Sequence, residues 1–165
     1  MKLSICIPTY NRPEQLPNCL ESIYLAKKRA NLRFNVCISD NNSNYDIKKI
    51  IDEYKKKLDI TFNSNKRNIG LPKSLNKAIM LSKGRYVTRV DSDDYVQRNF
   101  LFLSKLFLDM NREYQAVAVD YIKVDNFETV LSKENCLKNE IACGIMYRKE
   151  CLINIGLYNE KFKNK

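Results

Sequence analysis

The sequence predicts an α/β fold, in which helices cover both faces of a mostly parallel sheet. Short apolar segments of strand length alternate with segments of helical spacing along the first half of the chain. Polar clusters follow several of the apolar segments, as they do at the carboxyl ends of parallel strands. No repeat, low-complexity segment or linker divides the 165 residues, which fit one core. We therefore expect a single three-layer α/β/α sandwich over residues 1–165.

Strands and helices alternate in the first half. Strands are predicted at residues 3–7, 33–39, 60–63 and 85–90, each a short run that includes branched or aromatic side chains. Helices are predicted at residues 13–28, 47–58 and 71–82 because apolar residues recur there at helical spacing. Pro72 suits the first turn of the third helix, and Gly84 follows its end.

The second half of the sequence is less regular. Residues 100–110 have helical spacing, and residues 116–123 and 141–147 are each predicted to form one strand. Nothing in the composition marks a boundary between the two halves, so we expect the later elements to extend the same domain.

Composition excludes several classes of enzyme. The chain has no histidine, which excludes Ser-His-Asp hydrolases, Cys-His proteases and zinc enzymes with histidine ligands. No two of the six cysteines have Cys-x-x-Cys spacing, and Cys6 and Cys37 lie inside predicted strands. Met1 leads directly into the first strand, and no apolar run approaches the ~20 residues of a membrane span. We therefore expect a cytoplasmic protein with reduced cysteines.

The net charge of +10 is high for a chain of this size. It is compatible with a phosphorylated substrate, an anionic membrane face or a nucleic acid. However, the basic residues form no single block, and residues 27–29 and 55–57 lie near predicted helix ends, where cations suit the helix dipole. A solvated surface is the default interpretation, and peripheral association with the inner face of a membrane is the alternative. No nucleic-acid-binding motif is present, so no nucleic-acid partner is expected.

Three aspartates within four residues are the first candidates for chemistry. Asp91, Asp93 and Asp94, with Ser92 among them, follow the predicted strand at residues 85–90. Because their carboxylates repel one another, a cation is expected nearby, and hard oxygen ligands suit Mg²⁺ or Mn²⁺. Such an ion would bridge phosphate oxygens and neutralise a leaving diphosphate. The alternative is the N-terminal cap of the next helix.

Two more polar loops follow predicted strands and are expected at the same sheet edge. The loop after the first strand offers a hydroxyl, an aromatic ring and a guanidinium to a nucleotide; it consists of Pro8, Thr9, Tyr10, Asn11 and Arg12. Arg12 could equally be an ordinary surface residue. The loop after the second strand begins at Asp40, whose carboxylate could accept a hydrogen bond from a base. Taken alone, that loop is better explained as a turn.

The third predicted helix is preceded by a further polar group. Gly70 permits a positive φ or a close backbone approach, and Asn68 could hold the loop through its side chain. Lys66 and Arg67 are candidate phosphate or base contacts, or a solvated pair. Asn76 lies on the helix itself.

Taken together, these segments resemble the inverting glycosyltransferases of family 2, which have the GT-A fold. Four motifs occur in order and at family-like spacing, and they lie at residues 4–12, 38–43, 68–70 with Asn76, and 84–94. Weaker matches follow at residues 143–148 and 155–160. The resemblance implies a donor half over residues 3–94 and a partial acceptor half over residues 95–165 of one nucleotide-sugar-binding domain.

The resemblance also implies roles for individual residues. Pro8, Thr9 and Arg12 would line the nucleotide pocket, and Asp40 would accept from the base, with uracil expected. Asp91 would lie near the ribose or diphosphate. Asp93 would be the principal ligand of Mn²⁺ or Mg²⁺, with support from Asp94. The implied reaction is inverting transfer from a UDP-sugar to a glycan or lipid-linked acceptor.

The catalytic base stays unassigned. In the family, an acidic Glu-Asp pair supplies it shortly after a segment that residues 156–160 match here, so Glu160 belongs to the preceding segment. An acceptor hydroxyl needs a carboxylate within hydrogen-bond reach, and Asp120 or Asp125 could provide one only after a rearrangement. Two hypotheses follow: the donor part of a longer glycosyltransferase, or a nucleotide-sugar-binding domain without turnover.

Overall fold

The computed structural model describes residues 2–125 and 127–162. Its strands are β1 (Leu3–Thr9), β2 (Phe34–Asp40), β3 (Asp59–Ser64), β4 (Tyr86–Arg89), β5 (Ala116–Ala118), β6 (Tyr121–Val124), β7 (Val130–Glu134) and β8 (Ile145–Arg148). Its helices are α1 (Gln15–Ala30), α2 (Ile47–Lys55), α3 (Leu71–Leu81), α4 (Phe100–Met110) and α5 (Lys149–Asn154). The predicted order of strands and helices is confirmed through β4 and α4.

The central sheet has six strands in the order β3-β2-β1-β4-β8-β5. β1 pairs in parallel with β2 and β4, and β2 pairs in parallel with β3. β8 is antiparallel to both β4 and β5. The sheet is therefore mostly parallel, as predicted, and strands from both halves of the sequence belong to it.

Helices cover both faces of this sheet. Every residue of β1 and β2 is buried, as expected for strands covered on two sides. On one face, α1, α2 and α4 contribute to a core that includes Leu20, Ile51 and Leu101. On the other face, Leu75 of α3 and Leu152 of α5 belong to a second apolar cluster. The predicted three-layer sandwich is confirmed.

Gly84 is required where the chain enters β4. A Cβ atom built there would lie 2.5 Å from the backbone carbon of Leu3 and 2.5 Å from the backbone nitrogen of Ser4. The close approach lets the Gly84 N–H donate to Ser4 Oγ at 2.7 Å. The contact ties the start of β4 to the start of β1, which aligns the carboxyl ends of these strands.

Two strand predictions in the second half are wrong in part. Residues 116–123 do not form one strand, because the chain leaves the main sheet after Ala118 and pairs β6 with β7 in a separate antiparallel hairpin. Residues 141–147 also form no single strand: β8 begins at Ile145, since Gly144 has a φ of 74° that a strand does not accommodate. The mostly exposed β7 and the short α5 were not predicted.

The cysteines are unpaired, as expected from the sequence. All six cysteines are free thiols, and Cys6, Cys19 and Cys37 are buried. Among the residues that the structure describes, no helix combines the length and apolar character needed to cross a membrane.

Candidate functional site

Three loops meet at the carboxyl ends of β1, β2 and β4 and enclose a cavity of about 340 Å³. The parallel register brings Thr9 at the end of β1 beside Asp40 at the end of β2. The cavity is lined by Pro8, Thr9, Tyr10, Arg12, Asn41, Asn68, Leu71, Ser74, Asp91, Ser92 and Asp93. The convergence predicted from the sequence is therefore present, and most of the predicted binding residues lie on one surface.

The loop after β1 presents two different kinds of side chain. Thr9 is 3% exposed, and its buried Oγ1 has no hydrogen-bond partner within residues 2–125 and 127–162. Unsatisfied buried hydroxyls of this kind are uncommon in folded proteins, and a bound water or ligand is a usual explanation. Asn11, in contrast, does not line the cavity: its Oδ1 accepts from Asn44 N at 2.8 Å, and its own N–H donates to Ser43 Oγ at 2.9 Å. Asn11 thus connects the first loop to the second.

The loop after β2 places Asn41, rather than Asp40, in the cavity wall. Both carboxylate oxygens of Asp40 already accept hydrogen bonds: Oδ1 accepts from Ser43 Oγ at 2.6 Å and Oδ2 from Ser64 Oγ at 3.2 Å. Asp40 therefore holds its own loop together. Asn41 was not predicted as a binding residue. Because successive side chains of a strand point to opposite faces, the residue next to Asp40 is the one that would face the other way.

Asn41 also joins the second loop to the third. Its Nδ2 donates to Asn68 Oδ1 at 2.7 Å, and its Oδ1 accepts from Ile69 N at 2.8 Å. Asn68 Oδ1 additionally accepts from Gly70 N at 2.9 Å, and Gly70 has a φ of 85°. The predicted holding role of Asn68 is thus present, while Arg67 is exposed and outside the cavity lining.

Asn76 lies outside the cavity lining and anchors a later segment instead. Its Nδ2 donates to Tyr158 O at 2.9 Å, and its Oδ1 accepts from Tyr158 N at 3.0 Å. A further hydrogen bond reaches Glu160 Oε1 at 3.3 Å. Asn76 therefore positions the segment around Tyr158 against α3.

The first two aspartates of the cluster pair with arginines. Asp91 accepts two hydrogen bonds from Arg89, at 2.7 Å and 2.8 Å. Asp93 Oδ2 lies 3.1 Å from Arg12 Nε, and the side chains of Asp93 and Arg12 are 45% and 48% exposed. Arg89 and Arg12 thus supply positive charge beside two of the three carboxylates.

The third aspartate lies beside a thiol that the sequence analysis did not assign to the site. A carboxylate oxygen of Asp94, one of Asp91 and Sγ of Cys143 lie within 4.8 Å of one another. Burial, followed by the charge of Asp91, raises the pKa of Asp94. Burial and the charge of Asp91 also raise the pKa of the Cys143 thiol well above its ordinary value. Only the weak match at residues 143–148 could have indicated this cysteine.

The two aspartates considered as alternative bases stabilise turns near the hairpin. Asp120 Oδ1 accepts from Cys136 N at 2.9 Å, and Asp125 Oδ1 accepts from Phe127 N at 2.8 Å. The hydrogen bond from Cys136 N lowers the pKa of Asp120, and those from Thr129 N and then Phe127 N lower the pKa of Asp125. Neither residue lines the cavity.

Comparison with known proteins gives a consistent set of relatives. The sequence model described as Glycosyl transferase family 2 matches residues 4–158. Abequosyltransferase RfbV of Salmonella typhimurium is 34% identical over 111 residues, which are 66% of this chain and 33% of that protein. Poly(ribitol-phosphate) beta-N-acetylglucosaminyltransferase TarS of Staphylococcus aureus is 33% identical over 111 residues, 66% of this chain and 19% of that protein.

Solved structures show the same fold at lower identity. The structure of S. aureus TarS 1–349 in complex with UDP matches with a TM-score of 0.82 at 23% identity, over 99% of this chain and 52% of that chain. Mannosyltransferase PcManGT of Pyrobaculum calidifontis, in complex with GDP-Man and Mn²⁺, matches with a TM-score of 0.78 at 19% identity, over 96% and 48%. The chain thus spans about half of these solved chains and a smaller share of the curated relatives.

Proposed function

The chain belongs to glycosyl transferase family 2 and has the GT-A fold, and from this premise we propose that its cavity binds a nucleotide-sugar, with a UDP-sugar as the expected donor. In the active enzyme, the sugar would pass with inversion to a hydroxyl of a glycan or lipid-linked acceptor. The observation that carries the proposal is the convergence of three polar loops on one cavity beside the aspartate cluster. Solved structures of the same fold in complex with UDP, UDP-GlcNAc and GDP-Man support it.

The cavity offers suitable groups for each part of a nucleoside diphosphate. Thr9 Oγ1 has an unused hydrogen-bonding capacity, and Tyr10 supplies an exposed ring for stacking. Asn41 lines the cavity, and its Nδ2 keeps one N–H beyond the hydrogen bond to Asn68, so it is better placed than Asp40 to contact a base. Arg12 can hold a phosphate oxygen once it leaves Asp93, because an exposed ion pair is worth only about 0–1 kcal/mol.

Asp91 and Asp94 lie close enough to share a divalent cation, and Asp93, which pairs with Arg12, would join them after it releases that arginine. Carboxylates of Asp91, Asp93 and Asp94 would hold Mn²⁺ or Mg²⁺, which prefer hard oxygen ligands. When bound, the ion would neutralise the charge on the leaving diphosphate. Asp91 retains this capacity although Arg89 binds both of its oxygens, because each carboxylate oxygen has a second lone pair.

A second candidate function is nucleotide-sugar binding without turnover. Among the described residues that line the cavity, Asp91 and Asp93 are the acidic ones, and both are assigned to the metal. No carboxylate is then left in the lining to take the proton from an acceptor hydroxyl. The unassigned base therefore favours this alternative for the chain by itself.

One experiment separates these possibilities. The protein is mixed with UDP-sugars, Mn²⁺ and candidate acceptors; UDP binding is measured by calorimetry and UDP release by a coupled assay. Asp93→Ala should abolish Mn²⁺-dependent UDP binding, whereas Asp52→Ala, which removes an exposed ion pair with Lys55 elsewhere, should not. Binding without release above buffer supports the second candidate. Failure of the wild type to bind UDP, or equal binding by Asp93→Ala, contradicts the proposal.

We also propose a cytoplasmic location at the inner face of the membrane. The free cysteines suit a reducing compartment, and the net charge of +10 suits an anionic lipid surface. Co-sedimentation with vesicles that contain anionic lipid, compared with neutral vesicles, tests the membrane part. Equal recovery with both kinds of vesicle would contradict it.

A further inference from the structure

The thiol of Cys143 lies at the edge of the aspartate cluster. Its Sγ and one carboxylate oxygen from each of Asp91 and Asp94 are mutually within 4.8 Å. These three atoms come from two separate segments, one after β4 and one before β8. Cys143 is far from the two aspartates in the sequence, so the three side chains come together only when the sheet has folded.

The sheet determines where Cys143 lies. β8 is antiparallel to β4, with Met146 opposite Thr88, and Thr88 Oγ1 donates to Ile145 O at 2.9 Å. Between Cys143 and this anchored strand, Gly144 turns the chain with a φ of 74°. The thiol thus reaches the cluster from a short turn next to β8, which is paired with β4, the strand that Asp91 follows.

The distances suit coordination of a single ion. Metal–oxygen and metal–sulfur bonds are about 2.0–2.6 Å long, so ligands on opposite sides of one ion lie roughly 4–5 Å apart. Two carboxylates in this arrangement repel each other, and a cation between them removes that repulsion. Arg89 already offsets part of the charge of Asp91, while its two hydrogen bonds hold the carboxylate in place.

A second observation indicates a ligand in the cavity that adjoins the cluster through Asp91. Asp91 and Thr9 both line it, and Thr9 Oγ1 is buried without a hydrogen-bond partner in the described part of the chain. Such groups are rare in folded proteins unless a bound molecule or water satisfies them. Asp91 therefore belongs both to the three-atom cluster and to the cavity wall that contains this unsatisfied hydroxyl.

We propose that Cys143 is a ligand of the divalent ion, together with Asp91 and Asp94, and that it gives this site a preference for thiophilic ions such as Cd²⁺ and Zn²⁺. Thiolate ligands favour such ions, whereas a site made only of carboxylates favours Mg²⁺ and Mn²⁺. On coordination, the sulfur–metal bond replaces the S–H bond, and the proton is released to solvent. The inference rests on the proposed function for the identity of the metal site.

A competing explanation is that the thiol only donates a hydrogen bond to a neighbouring carboxylate. Cys143→Ser distinguishes the two, because a serine hydroxyl keeps the donor and loses the soft sulfur ligand. Cys136→Ser and Cys151→Ser are matched controls, since both thiols are partly exposed and lie outside the cluster.

The test is a titration of the metal-free protein with Cd²⁺, followed through the ultraviolet thiolate-to-cadmium charge-transfer band. The wild type and both control variants should show a band that saturates at one ion per chain. Cys143→Ser should lose this band, and its Cd²⁺ affinity should fall by about tenfold or more. An unchanged band in Cys143→Ser, or no band in the wild type, would overturn the proposal.

A second measurement uses the wild type alone and does not depend on the folding of a variant. Alkylation with iodoacetamide is followed by mass spectrometry, with and without Cd²⁺. Cd²⁺ should protect Cys143 and leave Cys151 reactive; equal alkylation of Cys143 in both conditions contradicts the inference. Neither test involves a nucleotide, so a protein that binds Cd²⁺ through Cys143 but fails to bind UDP would contradict only the proposed function.

Discussion

Arg89 holds the carboxylate of Asp91 with two hydrogen bonds, from Nε to Oδ1 at 2.7 Å and from Nη2 to Oδ2 at 2.8 Å. The pair is mostly shielded from solvent, with side-chain exposures of 11% and 27%. A two-point contact of this kind fixes the plane of the carboxylate as well as its position. The orientation in which Asp91 meets a metal or a diphosphate therefore depends on Arg89.

Arg89→Lys should weaken Mn²⁺-dependent UDP binding by about tenfold, because an ammonium group cannot hold both oxygens in one plane. Calorimetry with UDP at saturating Mn²⁺ measures the change. Arg85→Lys is the matched control, since Arg85 is exposed near the same strand and lies outside the cavity lining. If Arg89→Lys binds UDP as the wild type does, the two-point contact has no role in the site.

Asn41→Ala should both destabilise the fold and reduce UDP affinity. The substitution removes the acceptor of the Ile69 N–H and the donor to Asn68 Oδ1, and the loss of a partly buried hydrogen bond costs about 1 kcal/mol. Urea unfolding measures the stability and calorimetry the affinity. Asn44→Ala, in the same loop but with an exposed side chain, should change neither. Equal stability of the two variants would contradict the role assigned to Asn41.

Gly84→Ala should lower the free energy of unfolding by about 3 kcal/mol or more, because the new Cβ collides with the backbone of β1. Gly156→Ala is the comparison: Gly156 has a φ of 93° but no atom within 4 Å of the new Cβ, so only the backbone cost of about 1–2 kcal/mol applies. Chemical unfolding of both variants gives the two values. A smaller loss for Gly84→Ala than for Gly156→Ala would refute the close approach.

Asp120 should make the hairpin region sensitive to acid. Hydrogen bonds led by that from Cys136 N lower the pKa of its carboxyl in the folded state. Its stabilising contribution is therefore complete above the unfolded pKa and is lost as the pH falls through the lower, folded pKa. Hydrogen exchange of the Cys136 amide across this pH range should show decreasing protection. Protection that does not change with pH would exclude this role.

Asp120→Asn provides the corresponding functional control. Because Asp120 lies outside the cavity lining, the substitution should leave UDP affinity unchanged. A loss of UDP binding would show that the hairpin region and the cavity are coupled.

The regular strands and helices of the first half could be predicted because the residues they bury are apolar and recur at strand or helix spacing. β1 and β2 are apolar runs covered on both faces, and the polar loops after them had to meet at one edge of a parallel sheet. β7 could not be predicted in the same way, because it is mostly exposed and has no apolar face to produce a pattern. The break after Ala118 likewise depends on hydrogen bonds between Asp120 and a distant turn.

The candidate site, like the fold, could be predicted from the sequence only in part. Thr9, Arg12 and Asp93 could be placed near one sheet edge because they follow strands in a family-like order, and all three line the cavity. Asn41 was missed because Asp40 carries the charge in that motif, while the structure uses Asp40 inside the loop. Cys143 was missed because its contact with Asp91 and Asp94 exists only after β8 has paired with β4.

The most direct test of the central claim is a crystal structure of the protein with UDP and Mn²⁺. The account predicts UDP in the cavity at the ends of β1, β2 and β4, with the base and ribose beside Thr9 and Asn41. The diphosphate should lie beside the metal at the aspartate cluster. UDP bound at another place on the chain, or an empty cavity at saturating UDP and Mn²⁺, would contradict it.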